Sequence, residues 1–132
     1  MRWLYFFAVV FLMTACAHKG DVPTAAGLHD RVSQVLDARV QKDWSQVYDI
    51  ADEDYKKNVS REQFLGMNRG MTFLKYEILS VEENDADNAQ AVIVWSFMMG
   101  GYNFDNQKEH QRWVRENGSW NIVMARDEQF GF

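Results

Sequence analysis

Apolar residues recur at helical spacing from position 28. Leu28, Val32, Val35, Leu36 and Val40 repeat every three or four residues, while Asp30, Arg31, Ser33, Gln34, Asp37 and Arg39 fill the other side. That spacing predicts an amphipathic helix with one buried stripe. Asp43 is placed to cap a second helix with Gln46 as its capping-box partner, and Trp44, Val47, Tyr48 and Ala51 line one face of it. The acidic run Asp49, Asp52, Glu53 and Asp54 reads as a solvated turn, because a calcium loop would need a glycine that is absent there. Ser60 and Gln63 form an S-x-x-Q box, with Val59 and Phe64 as a hydrophobic staple. They start a third helix, expected to end at a Gly70 cap.

The period then changes from 3.6 to 2. In "TFLKYEILSVEE", residues 72–83, Tyr76, Ile78 and Ser80 share one face and Lys75, Glu77, Leu79 and Val81 the other. "NDADN" is the turn to "AQAVIVWSFMM", where Ala91, Ile93, Trp95, Phe97 and Met99 alternate with Val92, Val94, Ser96 and Met98. Both faces of that strand are largely apolar, so it is expected at the centre of the sheet. Gly100-Gly101 either ends it or makes a bulge. "YNFDN" reads as a loop. "QKEHQRWVRE" and "SWNIVMAR" form a hairpin about Asn117-Gly118. A two-residue turn there sets Glu116 opposite Ser119, Arg115 opposite Trp120 and Trp113 opposite Ile122, and offers Arg115 and Trp120 as a cation–π pair. Helices followed by an antiparallel meander define an α+β fold of about four strands.

Ahead of this domain, Arg2 precedes an unbroken apolar run, Trp3 through Met13. A membrane span needs about 20 apolar residues. This shorter run fits the hydrophobic region of a signal peptide. It ends at Met13-Thr14-Ala15-Cys16, and Cys16 is the chain's one cysteine. The segment resembles a bacterial lipobox, with Met13 in place of the usual leucine. That resemblance implies cleavage between Ala15 and Cys16 and a thioether-linked diacylglyceryl group on Cys16. A further fatty chain (palmitate) is expected on the freed amine. One acyl chain anchors only marginally, and two or three anchor firmly. Ala17 after the Cys favours the periplasmic face of the outer membrane over the inner membrane. The expected organisation is a leader at 1–15, a tether at 16–27, the α+β domain at 28–127 and a tail at 128–132.

Composition narrows the function. The net charge of −5, with no basic cluster beyond Lys56-Lys57, argues against nucleic acid as a partner. A lone cysteine excludes intramolecular disulfides and Cys-cluster zinc sites. His18, His29 and His110 lack metal-ligand spacing, and Met67, Met71, Met98, Met99 and Met124 are read as core filling rather than copper ligands, so no metal or cofactor is expected.

The element order, the domain size and the closing "VRENGSWNI" hairpin resemble the nuclear-transport-factor-two-like (SnoaL-like) superfamily. The resemblance implies a cone-shaped, cystatin-like fold in which a curved sheet wraps an amino-terminal helix, often around a ligand pocket. Trp95, Phe97, Tyr102, Phe104 and Trp113 are the candidate pocket residues. Superfamily enzymes place an Asp base or Asp–His pair in the hollow. The candidates here are His110 with Asp105 or Glu109, and Asp49 beside Tyr48, although their convergence is not readable from sequence. No catalytic residue is assigned. The expected function is a membrane-anchored, non-catalytic module that binds a small apolar ligand or an envelope protein. The alternative is a small pocket enzyme of isomerase or dehydratase type. A homodimer docked through the sheet, which the superfamily resemblance also implies, is a third expectation.

Overall fold

The structure, a computed structural model, describes residues 27–124. The expected leader, the lipobox-like segment with Ala15 and Cys16, the expected tether up to residue 26 and the expected tail at 128–132 lie outside the described residues. Four helices, α1 (Leu28–Val40), α2 (Trp44–Ile50), α3 (Glu53–Asn58) and α4 (Arg61–Met67), precede four strands, β1 (Met71–Glu83), β2 (Asn88–Met99), β3 (Tyr102–Glu116) and β4 (Ser119–Ile122). The strands form one antiparallel sheet in the order β1-β2-β3-β4. The helices pack on its inner face, which is the expected α+β arrangement. No helix among the described residues is long and apolar enough to cross a membrane.

The sequence signals act locally as expected, with instructive exceptions. Leu28, Val32, Val35 and Leu36 are buried, but so is Arg39, which the stripe reading placed on the polar side. It lies four residues beyond Val35 and therefore on the same helical face. Asp43 caps α2 through the Gln46 N–H at 3.1 Å. The box stays half-made, because the Asp43 N–H already donates to the Ala38 carbonyl at 2.8 Å. The Ser60–Gln63 box is complete, at 3.2 and 2.9 Å. Gly70 is not the cap of α4; Asn68 holds that place, and its side-chain amide donates to the Phe64 carbonyl at 2.8 Å.

The acidic run is a helix rather than a solvated turn. Asp52 is buried and caps α3 through the Tyr55 N–H at 3.2 Å, and its other oxygen accepts the Met124 N–H at 3.0 Å. The Asp52 N–H donates to the Ile122 carbonyl at 2.9 Å. With Ala51 bridging Ile122 in parallel, the α2–α3 junction covers the edge of β4.

Residues 102–106, expected as a loop, open β3. Gly100 and Gly101 (φ 59° and 83°) end β2 in a tight turn, with Met99 paired to Tyr102. Asn117 and Gly118 (φ 51° and 78°) make the primed turn that matches strand twist. Beyond it the pairs Glu116–Ser119, Arg115–Trp120 and Trp113–Ile122 form as expected. The Arg115 Cζ sits 4.6 Å from the Trp120 ring centroid. The chain leaves the sheet after Ile122, short of the strand expected through residue 126, whose last two residues lie outside the described residues.

Strand β2 alternates without interruption, while both neighbours bulge against it. At Ser96, β1 carries the extra Leu74 and β3 carries Asp105–Asn106. A second bulge on β1, at Leu79, reverses the faces expected beyond it. Ser80 opposes Val92 on the outer face, and Val81 opposes Ala91 on the inner face. Paired bulges at one level bend a sheet. Here they lie near the carboxy-terminal half of α1, where Asp37 accepts from Tyr76 and Arg39 donates to Glu109.

Candidate functional site

At the level of the bulges two charged residues meet between α1 and the sheet. Arg39 leaves the last turn of α1, and Glu109 points inward from β3 because it shares the inner register with Ile93. The Arg39 Nη1 donates to both carboxylate oxygens of Glu109, at 3.0 and 2.9 Å. The indole N–H of Trp95 donates to the same carboxylate. The guanidinium carbon lies 5.7 Å from the ring centroids of both Phe73 and Trp95, within cation–π range. The Arg39 and Glu109 side chains retain 11% and 27% of their exposure.

A second polar contact flanks this one. The Tyr76 hydroxyl donates to Asp37 on α1 at 2.6 Å, and its ring meets Trp95 edge-on at 5.6 Å. The hydrogen bond to Asp37, then burial, then the Asp37 charge push the Tyr76 hydroxyl up to about 12. Each cause favours the protonated phenol over a phenolate.

The five candidate pocket residues do not share one hollow. Trp95, Phe97 and Phe104 come together. Phe97 stacks on Phe104 at 5.1 Å, and Phe73 bridges Trp95 at 4.3 Å and Phe97 at 5.8 Å. Tyr102 stands 74% exposed at the β2–β3 turn. Trp113 is 1% exposed and opposes Ala89, six residues from Trp95, or roughly 20 Å along the strand at about 3.3 Å per residue. Its indole N–H donates to the Gln111 side chain at 3.1 Å, and the Gln111 Nε2 is buried with no partner among the described residues.

The acid–base candidates diverge. Glu109 faces Arg39 inside, while the adjacent His110 is exposed on the outer face opposite Val92. Asp105 is exposed at the β3 bulge. Asp49 pairs with Arg61 at the surface, and the Tyr48 hydroxyl donates to the Val59 carbonyl at 2.7 Å. Among the described residues no group of three His, Cys, Asp or Glu side chains could hold a metal ion. An open recess of about 510 Å³ lies elsewhere, lined by residues that include Asp52, Tyr55, Arg112 and Met124.

Sequence reasoning missed Arg39, Glu109, Phe73 and Tyr76 as parts of one constellation. Arg39 was recoverable from its spacing to Val35. Glu109 was not, because alternation along β3 gives two faces without saying which meets the helices.

No family model matches the chain, and no curated protein sequence does. Solved structures do. The chain is similar to a SEC-C motif containing protein from Psychrobacter arcticus, at 10% identity and a TM-score of 0.63, covering 77% of this chain and 61% of that one. It is also similar to a SEC-C motif containing protein from Rhodopseudomonas palustris, at 15% identity and a TM-score of 0.54, covering 74% and 83%. A protein described as NTF2-like from Prochlorococcus marinus matches at 16% identity and a TM-score of 0.49, covering 74% and 88%. At these identities the likeness concerns the fold alone.

Proposed function

We propose that this chain is an envelope lipoprotein moored through Cys16, whose α+β domain is a non-catalytic module that binds another protein. The observation that carries the binding reading is how the interior aromatics spend their surface. Trp95 and Phe97 are buried against Phe73 and Phe104, and Trp113 is buried at the far end of the sheet. Packed this way they make core rather than a ligand-lined hollow. The one interior carboxylate pointing at them, Glu109, already accepts from Arg39 and Trp95. In that arrangement Glu109 serves to offset the largely buried Arg39 charge. Binding is therefore assigned to the outside of the domain. The anchor is supported by the order of Arg2, apolar run, small pair and lone Cys16.

Fractionation of cells producing the wild type or Cys16→Ser tests the anchor. The wild type is expected with the membranes and the variant in the soluble fraction. A variant that stays membrane-bound contradicts the reading. Binding is tested by cross-linking the full-length chain in intact cells and identifying the adducts by mass spectrometry. A specific protein cross-linked to the domain's surface is expected, and a chain that forms no protein adduct contradicts the reading.

A further inference from the structure

Three of the five methionines expected as core filling stand at the surface. Met67, Met98 and Met99 are 57%, 39% and 40% exposed, while Met71 is buried. The sheet register sorts them by face. Met71 and Met99 are partners in the end rung of β1 and β2. Phe73 and Phe97, two residues along, are buried partners on the inner face, so the methionine pair shares that face. Residues directly opposed across a ladder have Cβ atoms about 5 Å apart. Met67 closes α4 four residues before Met71. Helix α4 lies on the inner side, where its Phe64 meets Trp44 and Trp44 meets Phe73. Tyr102 opposes Met99 from β3 and brings an aromatic residue to the same rung. Met98 opposes Thr72 and belongs to the outer face.

We infer that Met67, Met71 and Met99 bind a soft monovalent metal ion, Cu(I) or Ag(I), at this corner of the domain. The inference is independent of the anchor and of the protein partner. Flexible packing explains a buried methionine and gives no reason for an exposed one. Thioethers are also soft, uncharged donors, and such ligands select Cu(I). Harder ions find no competing site, because among the described residues no three His, Cys, Asp or Glu side chains could hold one. Neutral ligands leave the ion its charge, and the Tyr102 ring offers the kind of face that attracts a cation. Arg69, in the turn between Met67 and Met71, is exposed, so water and salt screen its repulsion. Two of the three ligands are exposed, which suits a site that takes up and releases its ion. Binding carries a signature in pH. A thioether has no proton to lose, so affinity holds constant between about pH 5 and 8, whereas a site built from His18, His29, His110 or Cys16 would weaken as acid protonates its ligands.

Silver(I), which needs no reductant, is titrated into the full-length chain in detergent, with isotope-labelled methionine methyl groups followed by NMR. One ion is expected to bind per chain, moving the Met67, Met71 and Met99 signals and leaving those of Met98 and Met124 in place. Met67→Leu and Met99→Leu nearly conserve volume at exposed positions. Changes that merely disturb a ligand's support cost about tenfold in metal affinity, so each of these variants should lose at least that. Met98→Leu should lose nothing, and Cys16→Ser should leave the shifts unchanged. Cu(I), kept reduced, should displace silver, and Zn(II) should not. The site is overturned if silver does not saturate, if Met67→Leu or Met99→Leu binds like wild type, if the Met98 or Met124 signals move as far, or if affinity falls on acidification.

Discussion

Arg39 on α1 and Glu109 on β3 stand 70 residues apart in sequence and meet inside the domain, with Nη1 within 3.0 Å of both carboxylate oxygens. The pair pins the last turn of α1 to the bent part of the sheet. Its members are desolvated unequally, since Glu109 keeps about a quarter of its exposure. Glu109→Gln leaves the Arg39 charge short of its counterion and is expected to destabilise the fold by about 2 kcal/mol, less than a fully buried pair would lose. Arg39→Met combined with Glu109→Leu should cost less than the two single changes summed. Urea unfolding of the wild type, Glu109→Gln, the two single changes and the double variant, five proteins in all, checks both statements. A Glu109→Gln chain as stable as wild type would show the pair to be solvated.

Asp52 holds three elements with one side chain and one amide, joining α3, the end of β4 and Met124. Asp52→Ala removes a helix cap and leaves the Met124 N–H without its partner. The expected loss is about 2 kcal/mol. Asp52→Asn keeps an acceptor oxygen and should lose less. Thermal unfolding of the two variants gives the comparison, and equal losses would mean that charge rather than capping matters.

Tyr76 supplies a pH dependence with a definite sign. Its folded value of about 12 lies above the ordinary phenol value of 10.0, so the folded chain keeps a proton that the unfolded chain releases. The associated stabilisation is complete below pH 10 and is lost as pH rises towards 12. Phenolate absorbance should show Tyr76 ionising late, alongside Tyr55, whose hydroxyl is also pushed up by burial, and Asp37→Ala should return the Tyr76 contribution towards the ordinary value. An unchanged titration in that variant would break the assignment to Asp37.

The α1 stripe, the Ser60–Gln63 box and the Asn117-Gly118 register were legible because each is a local signal, set by helical period, capping chemistry or turn geometry. The β1 faces beyond Leu79 were not. Alternation assumes one residue against one, and a single extra residue turns Ser80 outward and Val81 inward. Helix α3 was concealed by its acidic composition. Glu53 and Asp54 in its first turn and Lys56 and Lys57 in its last follow the helix dipole, and the cap that starts it is buried by contacts from distant β4. The interior constellation was hidden for a related reason. Charged side chains read as surface until a partner on another element is known, and the partner of Arg39 comes from β3.

Aromatic packing around Phe64 offers an independent check on how the helices are held. Its ring lies 5.6 Å from Tyr48, 6.1 Å from Tyr55 and 6.3 Å from Trp44, so it joins α2, α3 and α4. Phe64→Ala is expected to cost about 3–5 kcal/mol. Hydrogen exchange should show faster amides across all three helices. Loss confined to α4 would mean that this cluster does not couple them.

The proposed anchor ties a folded domain to a lipid surface through one sulfur atom. Intact-mass measurement of the chain purified from its native membranes tests that most directly. The expected species starts at Cys16 and carries a diacylglyceryl group with at least one further acyl chain. A chain that retains residues 1–15, or one that starts elsewhere with Cys16 unmodified, would contradict it.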